Sequence, residues 1–286
     1  MLYLAIVSLI WAFSFGLIGT LLAGVDPYFI ATARLACATL LFLPFLRPHC
    51  IRVEERFKLV AYGSIQFGLM YVCYMHAFRY LPSHLVALFS VLTPVYVVLI
   101  NDLRRRRFSR RYLMAAILSV TGAIAIKADG VPVGDVWRGF ALMQVAGLSF
   151  AYGQIAYRDW KRRHRSIPDK QVFSFLTFGG TVCAGASCMF FTDRDALLLE
   201  PLQGLAILYL GLIASGVGFF LWNKGAARSN AGVLAAFNNA VVPLGVILSL
   251  FAFGEAEDLS RQDFLCLLLG VFLVGGGVVV GRGKRA

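Results

Sequence analysis

Charged residues are scarce in this sequence. They make up 15% of its 286 residues, whereas about 25% is usual for a soluble domain. Hydrophobic residues make up 59%. They stand in blocks of about 20, the length that a helix needs to cross roughly 30 Å of hydrocarbon. The composition excludes an ordinary soluble protein and predicts a polytopic membrane protein.

The sequence also lacks the patterns of metal sites, disulfide frameworks and catalytic centres. Its six cysteines form no Cys-x-x-Cys pair, and all but Cys50 lie in hydrophobic blocks. No aspartate or glutamate lies in the middle of a block, which disfavours a proton relay through intramembrane carboxylates. No nucleophile–base pair or metal-ligand set stands at membrane depth. We therefore expect no catalytic residues, no cofactor and no bound metal.

Ten hydrophobic blocks predict ten membrane-spanning helices, because lipid leaves only helices and closed barrels to satisfy the backbone. Alternate connecting loops hold most of the 27 lysines and arginines, and the acidic residues gather in the other loops. The basic side faces the cytoplasm, so both termini are expected there and the net charge of +12 does not indicate nucleic acid binding. The predicted spans cover residues 2–22, 27–46, 57–78, 82–101, 112–127, 136–157, 171–191, 202–222, 230–253 and 264–281.

An internal repeat relates residues 67–100 to residues 216–249 at an offset of 149 positions. A repeat unit of five spans is odd in number, so the second unit is inverted in the membrane. The basic loop after span 4 and the acidic loop after span 9 fit that inversion. The sequence thus predicts an all-α integral membrane protein with ten transmembrane helices in two inverted five-helix repeats, residues 1–130 and 131–286. The matched residues are Ala77, Arg79, Leu85, Ala87, Pro94, Val97 and Leu99 with Ala226, Arg228, Leu234, Ala236, Pro243, Val246 and Leu248.

Short motifs follow one another along nearly the whole chain. They are Trp11-Ala12-Phe13-Ser14-Phe15, Ala33-Arg34-Leu35, Ala77-Phe78-Arg79-Tyr80-Leu81-Pro82, Leu92-Thr93-Pro94-Val95, Val242-Pro243-Leu244 and Phe253-Gly254-Glu255. In order and spacing they resemble the drug/metabolite transporter superfamily, specifically its EamA-like ten-helix group. The first half departs from that pattern, because Asp102 and arginines stand where the group has Gly-Glu.

The resemblance implies a transporter of the bacterial inner membrane, often an exporter, for amino acids, amines, carboxylates or other small metabolites. It also implies a central cavity lined mainly by spans 1, 3, 4, 6, 8 and 9. Polar and aromatic residues in those spans predict one shared, mostly uncharged cavity. Interhelical hydrogen bonding and ring packing are the alternative roles. The cavity candidates are Trp11, Ser14, Gln66, Met70, Tyr71, Tyr74, Phe89, Ser90, Gln144, Tyr152, Trp222, Asn223, Asn238 and Asn239.

Three further positions have a predicted role. Arg34 is the one charged residue well inside a span. Its fork of donors suits a carboxylate, but we favour a structural charge that bonds loop carbonyls or Asp26. Pro94 and Pro243 fall in mid-helix at matched positions and are predicted hinges, although a tolerated kink explains them equally well. We also expect Tyr74 and Ser90 to face the same space as Asn223 and Asn239.

These patterns predict a secondary transporter that moves a small polar metabolite, such as an amino acid, across the inner membrane by alternating access. Export is the favoured direction. The expected partners are a small-molecule substrate and the lipid bilayer, with the multi-pass chain a monomer or a homodimer. Two alternatives remain: a membrane sensor or scaffold, which should have a long output loop, and a membrane-embedded enzyme without a recognisable catalytic set.

Overall fold

A computed structural model describes residues 1–22, 24–81, 86, 89–126, 136–192, 199–241, 244 and 261–281. The described residues form ten main helices, three separate 3₁₀ turns (Leu43–Phe45, Pro48–Cys50 and Asp169–Gln171) and no strand, which confirms the all-α prediction for this part of the chain. The first five are α1 (Leu2–Leu21), α2 (Pro27–Phe42), α3 (Val53–Gly63, Ser64–Leu69 and Met70–Ala77 in continuous succession), α4 (Ser90–Leu92 and Thr93–Arg105) and α5 (Arg110–Ile126). The others are α6 (Val136–Arg163), α7 (Phe173–Phe191), α8 (Pro201–Tyr209, Leu210–Val217 and Gly218–Arg228), α9 (Ala231–Asn238) and α10 (Arg261–Gly281).

Each helix overlaps one predicted span. By length and composition, three stretches among the described residues can cross a membrane: Pro27–Phe45, Phe173–Phe191 and Pro201–Arg228. Two shorter helical stretches, Leu2–Ser14 and Leu268–Gly281, are also apolar. The crossing of ten helices and the position of the termini remain predictions. The predicted hinge Pro243 and the Phe253-Gly254-Glu255 motif lie outside the described residues.

Large hydrophobic side chains cover the outer surface of the bundle. Trp137, Phe190 and Phe272 each expose three quarters or more of their surface. Soluble monomers rarely present extensive apolar surface of this kind, whereas hydrocarbon is a suitable solvent for it. The surface therefore fits a protein that is embedded in lipid.

Local sequence signals define where the helices begin. The Asp26 carboxylate accepts hydrogen bonds from the backbone N–H groups of Tyr28 at 3.0 Å and Phe29 at 2.9 Å, and Pro27 occupies the first turn. Both features suit a helix start, because the first N–H groups have no partner within the helix. Asn230 caps α9 in the same way.

Helices α3 and α8 each change to π-helix in their middle, over Ser64–Leu69 and Leu210–Val217. π-helical turns are rare and often mark functional sites. At the repeat offset of 149 positions, the first segment corresponds to residues 213–218 and so overlaps the second. The indole N–H of Trp11 donates to the carbonyl of Ala214 inside the second segment at 2.9 Å.

Glycines allow α3 to pack closely against its neighbours. A Cβ atom at Gly63 or Gly179 would overlap the backbone of the facing helix. A Cβ atom at Gly153 in α6 would overlap the side chain of Gln66 in α3. Small residues at helix contacts are usual in membrane proteins, because they let dispersion contacts and polar bonds form at short range. This packing holds Gln66 in the centre of the bundle.

Two sets of polar contacts mark the ends of the bundle. At one end, Asp26 accepts hydrogen bonds from Arg79 at 3.0 Å and from the Thr192 hydroxyl at 2.7 Å. The Tyr28 hydroxyl and the His76 ring lie 2.9 Å apart beside them. We call this the Asp26 end.

The opposite end is rich in arginine. Arg104 forms an ion pair with Asp159 at 3.1 Å. The buried Arg158 donates to Asn101 at 2.6 Å, so α4 and α6 are joined twice. Nearby, Glu55 accepts from the indole N–H of Trp160 at 2.6 Å. We call this the arginine-rich end.

Candidate functional site

An amide-rich cluster links four helices in the interior. We call it the amide layer and define it as Gln66, Gln154, Trp222, Asn223 and Asn238. Gln66 and Asn223 exchange hydrogen bonds of 2.8 and 3.4 Å between α3 and α8. The Gln154 carbonyl oxygen accepts from the Trp222 indole at 3.0 Å and from the Asn238 amide at 3.4 Å. The layer is an uncharged set of donors and acceptors.

Aromatic rings pack against the amide layer from α1 and α6. The Trp11 ring centroid lies 4.8 Å from that of Trp222, 5.6 Å from that of Phe219 and 5.8 Å from that of Phe150. Phe67 stacks on Phe219 at 4.3 Å. Aromatic faces beside amide groups suit a ligand that has both an apolar body and polar edges.

A second polar cluster lies on the Asp26 side of the amide layer. We call it the arginine site and define it as Arg34, Tyr71, Tyr74 and Ser215. Arg34 Nε donates to the Ser215 hydroxyl at 3.2 Å, and the Tyr71 hydroxyl lies 3.0 Å from the same oxygen. The Arg34 guanidinium carbon lies 4.7 Å from the centre of the Tyr71 ring. Tyr74 stacks on Tyr71 with a centroid distance of 6.1 Å.

The partners of Arg34 differ from those expected. Arg34 is 3% exposed and bonds Ser215 of α8 instead of Asp26 or loop carbonyls. Asp26 is occupied by Arg79 and Thr192. The Nη1 group of Arg34 is buried, and it has no hydrogen-bond partner among the described residues.

The two clusters lie a short distance apart along the bundle. Tyr71 follows Gln66 by five residues on α3, a rise of about 8 Å. On α8, Ser215 precedes Asn223 by eight residues, or about 12 Å. Ser215 also stands 149 positions after Gln66 and is its counterpart in the predicted repeat. Both members of that pair therefore carry a polar group that bonds the opposite half of the chain.

Several predicted cavity residues come together in these clusters. Met70 is buried in the same core, four residues after Gln66. The predicted residues in or against the two clusters are Trp11, Gln66, Met70, Tyr71, Tyr74, Trp222, Asn223 and Asn238. Their role as a substrate cavity remains a prediction.

Other predicted residues lie elsewhere. Asn239 donates to the carbonyl of Val91 at 3.0 Å, next to Ser90, and so joins α9 to α4. Tyr74, Ser90, Asn223 and Asn239 were expected to face one space. Tyr74 lies in the arginine site and Asn223 in the amide layer, whereas Ser90 and Asn239 lie at the contact between α4 and α9. The buried Oδ1 atom of Asn239 has no partner within the described part of the chain.

Ser14 and Gln144 also make contacts away from the two clusters. The Ser14 hydroxyl donates to the carbonyl of Ile10 in its own helix at 2.7 Å. Gln144 accepts from the Tyr96 hydroxyl at 2.8 Å and donates to the carbonyl of Phe89 at 3.4 Å. The bonds of Gln144 match the alternative role of interhelical hydrogen bonding, which the sequence left open, whereas the Ser14 bond stays within α1.

Tyr152 lies outside the two clusters for a simple geometric reason. Tyr152 packs on Tyr62 with a centroid distance of 6.4 Å, because it points away from the face of α6 that carries Gln154. Pro94 follows a 3₁₀ turn, Ser90–Leu92, that stands between the helical residue Phe89 and the α-helical part of α4. Its role as a hinge remains a prediction.

Ser215 and the buried environment of Arg34 were not foreseen from the sequence. Serine is too common in hydrophobic spans to be singled out by its type. The offset of 149 positions from Gln66 is the signal that finds it. Among the described residues, no group of three or more His, Cys, Asp or Glu side chains could hold a metal ion.

The helical fold and its buried polar layers are those of a membrane transporter. The model of the EamA-like transporter family matches residues 1–127 and 137–280, and the chain belongs to this family. This confirms the resemblance drawn from the motifs.

Named relatives agree with that assignment. A probable biotin transporter of Pseudomonas aeruginosa is 40% identical over 284 residues, which cover 98% of this chain and 95% of the relative. A biotin transporter of Salmonella typhimurium is 38% identical and covers 87% and 84%. A biotin transporter of Escherichia coli K12 is 35% identical with the same coverage. A solved structure described as a crystal structure of a protein has a TM-score of 0.75 at 15% identity, covers 97% of this chain and 96% of that one, and shows the fold alone.

Family membership supports a transporter of a small molecule, embedded in a bacterial membrane, and not an enzyme. The names of the relatives do not support an amino acid as the particular substrate.

Proposed function

We propose that this chain is an alternating-access transporter for a small carboxylic acid of the biotin class. The amide layer is the observation that carries the proposal. Biotin has a cyclic urea, which both donates and accepts hydrogen bonds, on an apolar bicycle. Amide side chains supply donors and acceptors together, and the rings of Trp11 and Phe219 supply apolar faces. The relatives named biotin transporters point to the same substrate class.

The same proposal includes ten transmembrane helices in two inverted repeats, residues 1–130 and 131–286. The overlapping π-helical segments Ser64–Leu69 and Leu210–Val217 support it. The pairing of Gln66 and Ser215 at one offset supports it as well. In repeat transporters, substrate binds near the midplane where the two units meet, and the amide layer lies between α3 and α8.

We place the protein in the inner membrane with both termini in the cytoplasm. The distribution of lysine and arginine among the loops supports this orientation. In that orientation, the arginine-rich end faces the cytoplasm and the Asp26 end faces outward.

Transport by purified protein in liposomes tests the function. Liposomes preloaded with unlabelled biotin should accumulate external labelled biotin by exchange. Asn223→Leu leaves the buried Gln66 amide unpaired, and loss of such a bond should lower the exchange rate about tenfold or more. Tyr152→Phe is the matched control, since Tyr152 lies outside the amide layer, and it should exchange at the wild-type rate.

Absence of biotin exchange beside a working control transporter would refute the substrate class. Exchange of a labelled amino acid in place of biotin would instead support the amino-acid substrate that the sequence predicts. Wild-type exchange by Asn223→Leu would move the substrate site away from the amide layer.

A further inference from the structure

We infer that Arg34 is the binding residue for the substrate's carboxylate and not a structural charge. The inference rests on the proposed function for the identity of the substrate. That the ligand carries a negative charge is inferred from the structure, because the Arg34 guanidinium group is buried. The site would take one carboxylate oxygen on Arg34 Nη1, with the apolar and cyclic part of the ligand directed towards the amide layer.

The charge of Arg34 has no counter-ion among the described residues. The side chain is 3% exposed, and it forms no ion pair with any described carboxylate. Asp26, which caps the start of the helix that carries Arg34, is bound by Arg79 and Thr192. A buried charge that is neither paired nor fully hydrogen-bonded is costly. Binding of an anion would remove this cost, which is a strong driving force for ligand binding.

The guanidinium group is held in a fixed orientation. Nε is bound to Ser215 at 3.2 Å, and the ring of Tyr71 lies against the guanidinium plane with its centre 4.7 Å away. The Ser215 hydroxyl donates its own proton to the Leu210 carbonyl at 2.9 Å, so towards Arg34 and Tyr71 it acts as an acceptor. With one side of Arg34 fixed, Nη1 stays available, and a preorganised arginine is well suited to a carboxylate.

Arg158 shows what a charge-compensated arginine looks like in the same chain. It is also buried, and two of its nitrogens are without partners among the described residues. Its charge, however, is compensated by Asp159 at 3.4 Å, and Asn101 binds it at 2.6 Å. Arg34 has a hydroxyl and an aromatic ring in place of such an acid. This difference assigns the ligand role to Arg34.

The distance between clusters also fits one elongated ligand. Tyr71, which packs on Arg34, lies about 8 Å from Gln66 along α3, and Ser215 lies about 12 Å from Asn223 along α8. Biotin carries its carboxylate on a flexible alkyl chain attached to the bicycle. A ligand of that form can place its carboxylate at Arg34 and its urea among Gln66, Asn223 and Gln154.

Binding of an acid and its neutral amide to the full chain in nanodiscs tests the inference. The probes are biotin and biotin amide, and the readout is calorimetry. Wild type should bind biotin at least about tenfold more tightly than the amide, because only biotin offers a carboxylate. Arg34→Gln should bind both probes with the weaker affinity. Arg34→Lys should keep part of the preference, and Arg158→Gln should keep all of it.

Equal binding of acid and amide by the wild type would overturn the inference, and this arm needs no variant to fold. Retention of the full preference by Arg34→Gln would also overturn it. If the wild type binds neither probe, the biotin assignment fails by itself. Pentanoate and a panel of amino acids then serve as probes in a thermal-shift assay. Stabilisation by a carboxylate that Arg34→Gln abolishes keeps the inference, and no carboxylate-dependent stabilisation refutes it.

Discussion

At the scale of single residues, Gly153 sets the distance between α6 and α3. A Cβ atom there would overlap the Gln66 Cβ atom and lie 2.9 Å from its Cα atom. We predict that Gly153→Ala destabilises the protein by about 1–3 kcal/mol, because overpacking shifts side chains or backbone. Thermal unfolding in detergent measures the effect.

Gly275→Ala is the control for that prediction. No atom lies within 4 Å of a Cβ atom built at Gly275, and alanine is favoured over glycine within helices. Gly275→Ala should therefore be as stable as the wild type or slightly more stable. Equal melting temperatures for the two variants would show that α6 does not pack on Gln66 as described.

Gln154 is the acceptor that joins α8 and α9. Its carbonyl oxygen serves the N–H groups of Trp222 and Asn238. Gln154→Leu has a similar volume but leaves the Trp222 N–H without its acceptor, and an unsatisfied buried group costs about 1–3 kcal/mol. The Asn238 amide keeps its bond to the Leu234 carbonyl at 2.7 Å. We predict a lower melting temperature and a large loss of biotin exchange. Tyr152→Phe, two residues away, should change neither quantity, and an unaffected Gln154→Leu would mean that the layer is structurally and functionally dispensable.

At the scale of secondary-structure elements, the π-helical segment of α8 depends on α1. A π-helical turn displaces carbonyls from the regular bonding pattern, and Trp11 donates to the carbonyl of Ala214 at 2.9 Å. Its ring also packs on Phe219 and Trp222. One side chain therefore fixes the element by two separable interactions.

Substitutions at Trp11 should show a graded effect. Trp11→Phe removes the N–H group and keeps a ring, so it should cost about 0.5–1.5 kcal/mol for the lost hydrogen bond. Trp11→Leu also removes the ring contacts and should be less stable still. Trp137→Phe is the matched control, because Trp137 is 77% exposed, and it should melt with the wild type. A Trp11→Phe variant of wild-type stability would contradict the role of the indole N–H.

The positions of the helices could be predicted because block length and loop charge are properties of the local sequence. The π-helical segments could not, since α- and π-bonding patterns suit the same run of apolar residues in Ser64–Leu69 and Leu210–Val217. The partner of Arg34 was also beyond local reasoning. Ser215 lies 181 positions away on another helix, and only packing decides that it, and not Asp26, reaches the guanidinium group.

At the scale of the whole molecule, side chains join α6 to α3 and α4 at the arginine-rich end. Arg104 and Asp159 join α4 to α6, and Glu55 of α3 accepts from Trp160 of α6. Hydrogen bonds from Lys58 and Trp160 hold the pKa of Glu55 below its usual value, against the opposing effect of burial. In the proposed transport cycle, access from this end would require α6 to separate from both neighbours. The residues that join the helices at this end and those of the proposed substrate site are therefore different sets.

The inverted arrangement of the two halves can be tested at the starts of α3 and α8. Arg52 directly precedes α3 and Glu200 directly precedes α8, and both residues are exposed. Because the two helices are counterparts in the proposed repeat, inversion places these residues on opposite sides of the membrane. Loop charge assigns the cytoplasmic side to Arg52.

We predict that a membrane-impermeant maleimide labels Glu200→Cys in intact cells, and labels Arg52→Cys only after permeabilisation. Each substitution is made in a variant without the six native cysteines, because Cys50 is exposed near Arg52. That background variant alone is the control and should remain unlabelled. Labelling of both positions from the same side would refute the inverted repeat, and the reverse pattern would refute the cytoplasmic placement of the arginine-rich end while leaving the inversion intact.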